Sequence, residues 1–310
     1  MNPAYASQFT DVWRTMVTQE LVKRYQTDGY IIVENVIDPE TLTAVRRVTD
    51  EFVERSRRIG GSDAIYDLGP GHNSRRPVVR RLKNPTFQHT VYDALMRSPA
   101  IVDCVTPLLG NNVRFDHSKL NFKPTGGDAT VEWHQDWAFY PHTNDDILAV
   151  GIMLEDCDLE NGPLHVIPGT HTGPVFDHHH DGYFVGAIAP KALAPIVDGA
   201  VALAAPAGSI TIHHVRIVHG STENLTLRPR PLLLFSYAAT DAWPLLDGGD
   251  LEEFDGRIIR GEPTLTPRQE ALPVRIPLPR IEQSDSIFDD QHAVRGRSFA
   301  NDRAAAAGQF

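Results

Sequence analysis

The chain has 310 residues, 41% of them hydrophobic, so it can bury a large core, and it contains no apolar run long enough to cross a membrane. Its formal net charge of −11 opposes contact with nucleic-acid phosphates and anionic lipid, and we expect neither kind of partner. No secretory signal is visible at its start, so a cytoplasmic location is expected. Cys104 and Cys157 have no C-x-x-C spacing, which predicts two buried free thiols.

The N-terminal third reads as mainly helical. Apolar side chains at spacings of three and four predict helices over residues 16–28, from Pro39 to about residue 59, near 87–97 and near 99–109. A short strand is predicted at Tyr30–Val33. Gly29 is expected to end the first helix, and Asp38 is suited to cap the second. We expect this part, about residues 16–110, to cover a sheet.

Short strands separated by Gly and Pro dominate from about residue 111 to 240, which predicts a β-sandwich or barrel instead of βαβ units. The stretch from residue 112 to 123 alternates, so that His117, Lys119 and Asn121 share one face, as in a barrel strand whose polar side looks into a cavity. Residues 241–310 read as a C-terminal extension. The prediction is a single domain over residues 1–310, mainly β with a helical buttress (α+β).

The segment Trp133–Trp137 contains an H-x-D pair. His134 and Asp136 point the same way on an extended segment because strand side chains repeat with period two. An imidazole and a carboxylate are two of the three protein donors of a mononuclear non-haem iron site, provided that a second histidine joins them. The strongest candidate is His219, at the end of an apolar strand just before a glycine turn. Unrelated sheet histidines are the alternative.

Arg230 is a candidate anion clamp, eleven residues after His219. If the strands that carry the two residues are hairpin neighbours, Arg230 points into the same cavity, where its guanidinium can pair bidentately with a carboxylate. Ser221 lies on the same side as His219 and can donate a hydroxyl to that carboxylate. Arg228 is the rival clamp, and a surface ion pair is the other interpretation of Arg230.

Five other histidines are not interpreted as metal ligands. His213 and His214 are adjacent on a strand and so point to opposite faces, and we expect each to be hydrogen-bonded. The run His178–His180 lies in an irregular stretch and is interpreted as a solvated loop tip.

Together with Asn161–Leu164, Pro168–His171 and Asn224, these motifs resemble the phytanoyl-CoA dioxygenase family of iron(II)- and 2-oxoglutarate-dependent oxygenases over about residues 20–240. The resemblance implies a double-stranded β-helix (jelly-roll, cupin-like) core. It implies Fe(II), 2-oxoglutarate and O2 as cofactor and co-substrates. The implied iron ligands are His134, Asp136 and His219. The implied 2-oxoglutarate contacts are Arg230 and Ser221 at the distal carboxylate, and Asn121 or Lys119 at the other end.

The carboxylate of Asp136 also bears on the reaction type. In related halogenases this position is Gly or Ala, so the resemblance favours hydroxylation here, or a desaturation or rearrangement. We expect a hydroxylase that acts on a small organic molecule in natural-product or catabolic metabolism. A non-catalytic cupin-like protein that binds a ligand or metal is the alternative. A zinc hydrolase is disfavoured because the sequence has no H-E-x-x-H motif.

Aromatic residues near the motif are the candidates for substrate contacts. They are Trp137, Phe139, Tyr140, His142, Phe176 and Trp243. This aromatic density suggests an apolar or polycyclic small molecule, with ordinary core packing as the alternative. A basic cluster lies upstream at Arg75, Arg76, Arg80, Arg81 and Lys83. A solvated or salt-bridged face explains that cluster most simply, and a binding surface for an anionic substrate is the alternative.

Overall fold

The computed structural model describes residues 16–125, 129–246, 249–280 and 286–291. Helices in these residues are α1 (Gln19–Asp28), α2 (Pro39–Ser56), α3 (Pro85–Gln88), α4 (Thr90–Met96), α5 (Pro99–Leu109), α6 (Pro190–Leu193), α7 (Leu251–Gly256) and α8 (Ile287–Asp290). Strands are β1 (Tyr30–Val33), β2 (Tyr66–Leu68), β3 (Val79–Lys83), β4 (Val113–Lys123), β5 (Val131–His134), β6 (Ile147–Met153), β7 (Leu164–Ile167), β8 (His179–His180), β9 (Tyr183–Phe184), β10 (Val201–Leu203), β11 (Ile210–His214), β12 (Val218–Ser221), β13 (Arg230–Ala239) and β14 (Ile258–Arg260). None of the described helices combines the length and the apolar character that crossing a bilayer requires.

The strands form a large and a small antiparallel sheet. The order in the large sheet is β1-β11-β6-β13-β4-β3-β2, with β14 added beside β4. The small sheet has the order β10-β7-β12-β5, and β8 pairs with β9. Residues of both large and small sheets line one cavity, so the two sheets face each other as the layers of a jelly roll.

The main core lies between the large sheet and the N-terminal helices. Side chains of α2, α4 and α5 pack with fully buried residues of the sheet, among them Val150, Ile212 and Phe235. The opposite face of the same strands lines the cavity, for example through His213 and Leu234. The period-two alternation of strands thus gives one face to the core and the other to the site.

The helix ends follow the expected local chemistry. Gly29 ends α1 with φ of 81°, a conformation that glycine adopts without strain. The side chain of Asp38 accepts hydrogen bonds from the backbone N–H groups of Glu40 and Thr41 at the start of α2. This helix ends at Ser56, slightly before the predicted end. Both cysteines are free and buried, as predicted.

The strands that carry His219 and Arg230 are not hairpin neighbours, so that condition of the sequence interpretation is wrong. β12 lies in the small sheet beside β5 and β7, whereas β13 lies in the large sheet between β6 and β4. The chain crosses from one layer to the other between these strands, as it does in jelly rolls. His219 and Arg230 therefore reach one cavity from opposite sheets.

The domain assignment stays a prediction. The described part of the predicted C-terminal extension contains α7, β14 and α8. Residues 281–285 and 292–310 of that extension lie outside the described residues.

Candidate metal centre

Two histidines lie side by side on paired strands of the small sheet. The register of β5 and β12 places His134 opposite His219. Their ring centroids are 4.1 Å apart, and both side chains are buried. The sheet therefore holds two imidazoles next to each other at the wall of the cavity.

Backbone carbonyl groups orient both imidazoles. The Nδ1 atom of His134 lies 2.8 Å from the carbonyl oxygen of Glu132, and that of His219 lies 3.0 Å from the carbonyl oxygen of Ile217. Because a carbonyl can only accept, Nδ1 carries the proton in a neutral ring. The Nε2 atom then has a free lone pair, which is the form of histidine that binds a metal ion.

Asp136 completes the group. It begins a 3-10 turn just after β5. Its Oδ1 lies 3.8 Å from Nε2 of His134, and its Oδ2 lies 3.9 Å from Nε2 of His219. One donor atom from each residue lies within 4.8 Å of the other two. Oδ2 is buried and has no hydrogen-bond partner among the described residues, as expected of an atom that binds an ion.

Burial keeps this group in the protonation states that metal binding requires. Desolvation lowers the pKa of His134 to about 4 and the pKa of His219 well below its ordinary value, so both rings are neutral at pH 7. Burial alone raises the pKa of Asp136, but the ammonium of Lys119, 3.5 Å away, holds it well below its ordinary value. Two neutral imidazoles and one carboxylate are the donor set of a non-haem iron site with open positions.

The peptide between the two motif residues is fixed by side-chain hydrogen bonds. The backbone N–H of Gln135 donates to Nε2 of His178 at 2.8 Å. The side-chain amide of Gln135 donates to the carbonyl of Arg216 and accepts from the N–H of Phe176. Because His178 is buried in this contact, its interpretation as part of a solvated loop tip is wrong. Sequence gave no signal for this role, which depends on how the long loop folds back.

His178→Ala is expected to weaken Fe(II) binding by about ten- to a hundredfold while leaving the three donor side chains in place. The substitution removes the acceptor of the Gln135 N–H group, so the peptide between the motif residues can move. Anaerobic equilibrium dialysis against Fe(II) measures the effect. His180→Ala is the control, because that side chain is near Asp181 and not the motif. Equal Fe(II) affinities of the two variants would contradict the bracing role.

The inner cavity lies between the sheets and has a volume of about 40 Å³. The residues predicted to contact 2-oxoglutarate, Lys119, Asn121, Ser221 and Arg230, all line it. Arg81 and Lys123 line it too. This space holds only a few water molecules, so a dicarboxylate must displace them and move the long side chains.

Arg230 is directed into the inner cavity, and Arg228 is not. The side chain of Arg230 is buried, donates to the carbonyl of Gly162, and has an Nε without a partner in the described part of the chain. Burial and the Arg230 charge lower the pKa of the nearby Lys123 well below its ordinary value. Arg228 has a side chain that is 59% exposed and paired with Asp158. Arg230 is therefore the better candidate for an anion clamp.

An outer, more open cavity of about 280 Å³ begins at Asp136. Its positively charged lining residues are Arg81, Lys83 and Lys119. Asp136 is its sole acidic residue among the described lining residues. In the upstream basic cluster, Arg80 instead forms a buried ion pair with Asp67. The interpretation as a salt-bridged face thus fits Arg80, while the anion-binding interpretation fits Arg81 and Lys83.

Two of the six candidate substrate residues line the outer cavity, namely Phe139 and Tyr140. The ring of Phe139 meets the ring of His134 edge-on, with centroids 5.6 Å apart. Tyr140 meets His117, which also lines the cavity, at 4.8 Å. These contacts place both aromatic side chains beside the donor set.

The other four candidates do not line either cavity, which corrects the sequence interpretation. Trp137 is packed in a core cluster and donates to the carbonyl of Pro273. His142 is buried with Nε2 3.7 Å from Asp116. Phe176 packs in a separate apolar cluster, and Trp243 stacks on Phe254. Core packing, the simpler interpretation of the aromatic density, explains these residues.

Two further parts of the site, besides His178, were missed by sequence reasoning. His213 lines the inner cavity with both ring nitrogens unpartnered among the described residues, so the prediction of a hydrogen-bonded histidine is wrong. The segment of residues 286–291 covers the cavity through Ile287 and Phe288, and Arg80 holds it by an ion pair of 2.8 Å with Asp289. No pattern in the polar C-terminal region predicted this contact.

Known proteins resemble this chain in sequence and in structure. The family model described as phytanoyl-CoA dioxygenase (PhyH) matches residues 25–232. A probable alpha-ketoglutarate-dependent hypophosphite dioxygenase of Stutzerimonas stutzeri is 37% identical, over 89% of this chain and 97% of that protein. An L-proline trans-4-hydroxylase of Streptomyces griseoviridis is 30% identical, over 69% of this chain and 84% of that protein.

The structural comparison confirms the predicted fold. The iron-bound crystal structure of EctD from S. alaskensis superposes with a TM-score of 0.64 at 22% identity, over 87% of this chain and 93% of that one. Its double-stranded β-helix matches the two facing sheets described above. With a family model that covers well over half of its length, and with the donor set in the order that the motifs predict, this chain belongs to the phytanoyl-CoA dioxygenase family.

Proposed function

We propose that this chain, an Fe(II)- and 2-oxoglutarate-dependent dioxygenase, hydroxylates a small anionic molecule, with His134, Asp136 and His219 as its iron ligands. The unpartnered, buried Oδ2 of Asp136 supports the ligand assignment, as do the two Nε2 atoms that face it. When bound, Fe(II) supplies the oxidation chemistry that consumes 2-oxoglutarate and O2, adds a hydroxyl group to the substrate and releases succinate and CO2. The protein's own groups bind, orient and shield the reactants.

The inner cavity is proposed to bind 2-oxoglutarate. Lys119 lies beside Asp136, and β4 pairs it with Leu234, four residues along β13 from Arg230. The two cations are therefore separated along the cavity, as a dicarboxylate requires. Ser221 and Asn121 line the same cavity as neutral hydrogen-bonding groups, and Asn121 accepts from Arg81 at 2.8 Å.

The positive charge of the outer cavity supports a small anion as the substrate. Three cationic side chains face this cavity, and its one described acidic residue, Asp136, is proposed to bind the metal. These three positive charges attract a small anion, whereas a large apolar molecule would remove water from the charged groups without offering them a charged partner. The relative named as a hypophosphite dioxygenase is named for a small anion, which supports the same class.

Hypophosphite is therefore expected to stimulate succinate formation at least about tenfold over the substrate-free rate, the gain that one well-placed charged contact provides. Phosphorus NMR should show phosphite forming in equal amount with succinate. L-proline and an uncharged polycyclic compound are the comparison substrates. Stimulation by the polycyclic compound alone would overturn the proposed class. Tight 2-oxoglutarate binding without turnover on the whole panel would favour a non-catalytic binding protein.

A further inference from the structure

We propose that His213 binds an oxyanion in the inner cavity, and that this oxyanion is the carboxylate of 2-oxoglutarate nearer to Asp136. The inference rests on the proposed function of the cavity. It adds a residue that lies outside the group of three donors and outside the motifs.

His213 differs from the other histidines of the site in having no partner. His134, His178 and His219 each have Nδ1 within 3.0 Å of a backbone carbonyl oxygen. Both ring nitrogens of His213 lack a hydrogen-bond partner among the described residues, although the side chain is only 1% exposed. A buried imidazole without any partner is unfavourable, so a bound ligand is the expected partner.

The backbone around His213 is held on both sides, which fixes the direction of the side chain. β11 pairs with β1 and β6, so that His213 lies opposite Tyr30 on one side and Ala149 on the other. From there the ring reaches the inner cavity, and its centroid lies 4.8 Å from that of His219. The donor is thus already in place before a ligand binds.

The position of His213 relative to Asp136 indicates what it binds. Its Nε2 lies 3.8 Å from Oδ2 of Asp136, too far for a hydrogen bond, while Nζ of Lys119 lies 3.5 Å from Oδ1. A ring nitrogen of His213 and the ammonium of Lys119 thus lie near the Asp136 carboxylate, one beside each oxygen. An anionic ligand bound beside Asp136 would lie within reach of both groups, and its oxygen atoms could accept from the ammonium of Lys119 and from an N–H of His213.

The inner cavity favours the co-substrate as the source of this oxyanion. His213 lines the inner cavity together with Arg230 and Ser221, which are proposed for the distal carboxylate. It is not among the described lining residues of the outer cavity, which is proposed for the substrate. 2-Oxoglutarate has a second carboxylate, and His213 supplies a donor for it.

The test compares His213→Leu with His213→Gln, two side chains of similar size that differ in the N–H donor. Anaerobic titration of the Fe(II) protein with 2-oxoglutarate, followed by the metal-to-ligand absorption band, should show about ten- to a hundredfold weaker binding for the leucine variant. The glutamine variant should bind within about threefold of the unsubstituted protein. Thr211→Val, on the same face of β11, is the control and should bind normally.

Two further measurements separate the other roles. The Fe(II) affinity of both variants, from equilibrium dialysis, should stay within about threefold, since a loss in both would make His213 a metal ligand and overturn the proposal. Equal 2-oxoglutarate affinities of the leucine and glutamine variants would also overturn the proposal. If the two variants differ only in their affinity for hypophosphite, the oxyanion that His213 binds belongs to the substrate instead. If the polycyclic compound alone stimulates the unsubstituted protein, the proposed substrate class fails, while the 2-oxoglutarate titration still decides the role of His213.

Discussion

Asp136→Ala is expected to weaken Fe(II) binding by more than about a hundredfold and to abolish 2-oxoglutarate-dependent succinate formation. This loss exceeds the roughly ten- to hundredfold effect of changing a residue that only orients a metal ligand. The substitution removes the one carboxylate of the three-donor group. His134 and His219 remain, but two neutral imidazoles do not balance the charge of a divalent ion. Equilibrium dialysis and a succinate assay measure the two effects.

Thermal unfolding distinguishes this loss from a loss of fold. Fe(II) at a hundred times its dissociation constant should stabilise the unsubstituted protein by about 2.7 kcal/mol, and this gain should disappear in Asp136→Ala. The metal-free melting temperature of each protein is the reference for this gain, because Asp136→Ala also leaves the ammonium of Lys119 without the carboxylate that lies 3.5 Å away. Asp158→Ala is the control, since that carboxylate lies on the surface and pairs with Arg228. Full turnover by Asp136→Ala would show that other residues bind the metal.

The donor set could be predicted because its signals are local. The H-x-D spacing keeps His134, the last residue of β5, close to Asp136, the first residue of the 3-10 turn that follows. His219 could be chosen from the glycine that follows it, although β12 continues past that glycine to Ser221 instead of ending at His219. Capping by Asp38 and the end of α1 at Gly29 depend on neighbouring residues in the same way. Such features need no knowledge of the tertiary packing.

The errors concern features that only the packed chain determines. Alternation shows that His213 and His214 face opposite sides, but it does not show whether a ring finds a partner there. The aromatic side chain of Trp137 lies in a 3-10 turn, where period two no longer holds, and it enters the core. The jelly-roll crossing put β12 and β13 into different sheets, which no local signal between them reveals.

Arg230→Ala is expected to raise the KM for 2-oxoglutarate about a hundredfold or more, in line with the loss on truncating one member of a buried charge pair. The buried guanidinium of Arg230 already has an unpartnered Nε among the described residues, so its donors are available to a carboxylate. The KM follows from succinate formation at varied 2-oxoglutarate. Fe(II) affinity should change by less than about threefold, because Arg230 is not part of the donor group.

Two matched variants separate the geometry of the clamp from its charge. Arg228→Ala removes a cation two residues away, but its side chain is 59% exposed and paired with Asp158, so the KM for 2-oxoglutarate should not change. Arg230→Lys keeps the charge but loses the planar pair of donors, so it should recover only part of the affinity. A raised KM in Arg228→Ala with normal kinetics in Arg230→Ala would reverse the assignment. Strand alternation alone could not choose between Arg228 and Arg230 as the clamp, since residues two apart share a strand face. In the structure β13 begins at Arg230, so Arg228 lies in the loop before the sheet. This difference favours Arg230.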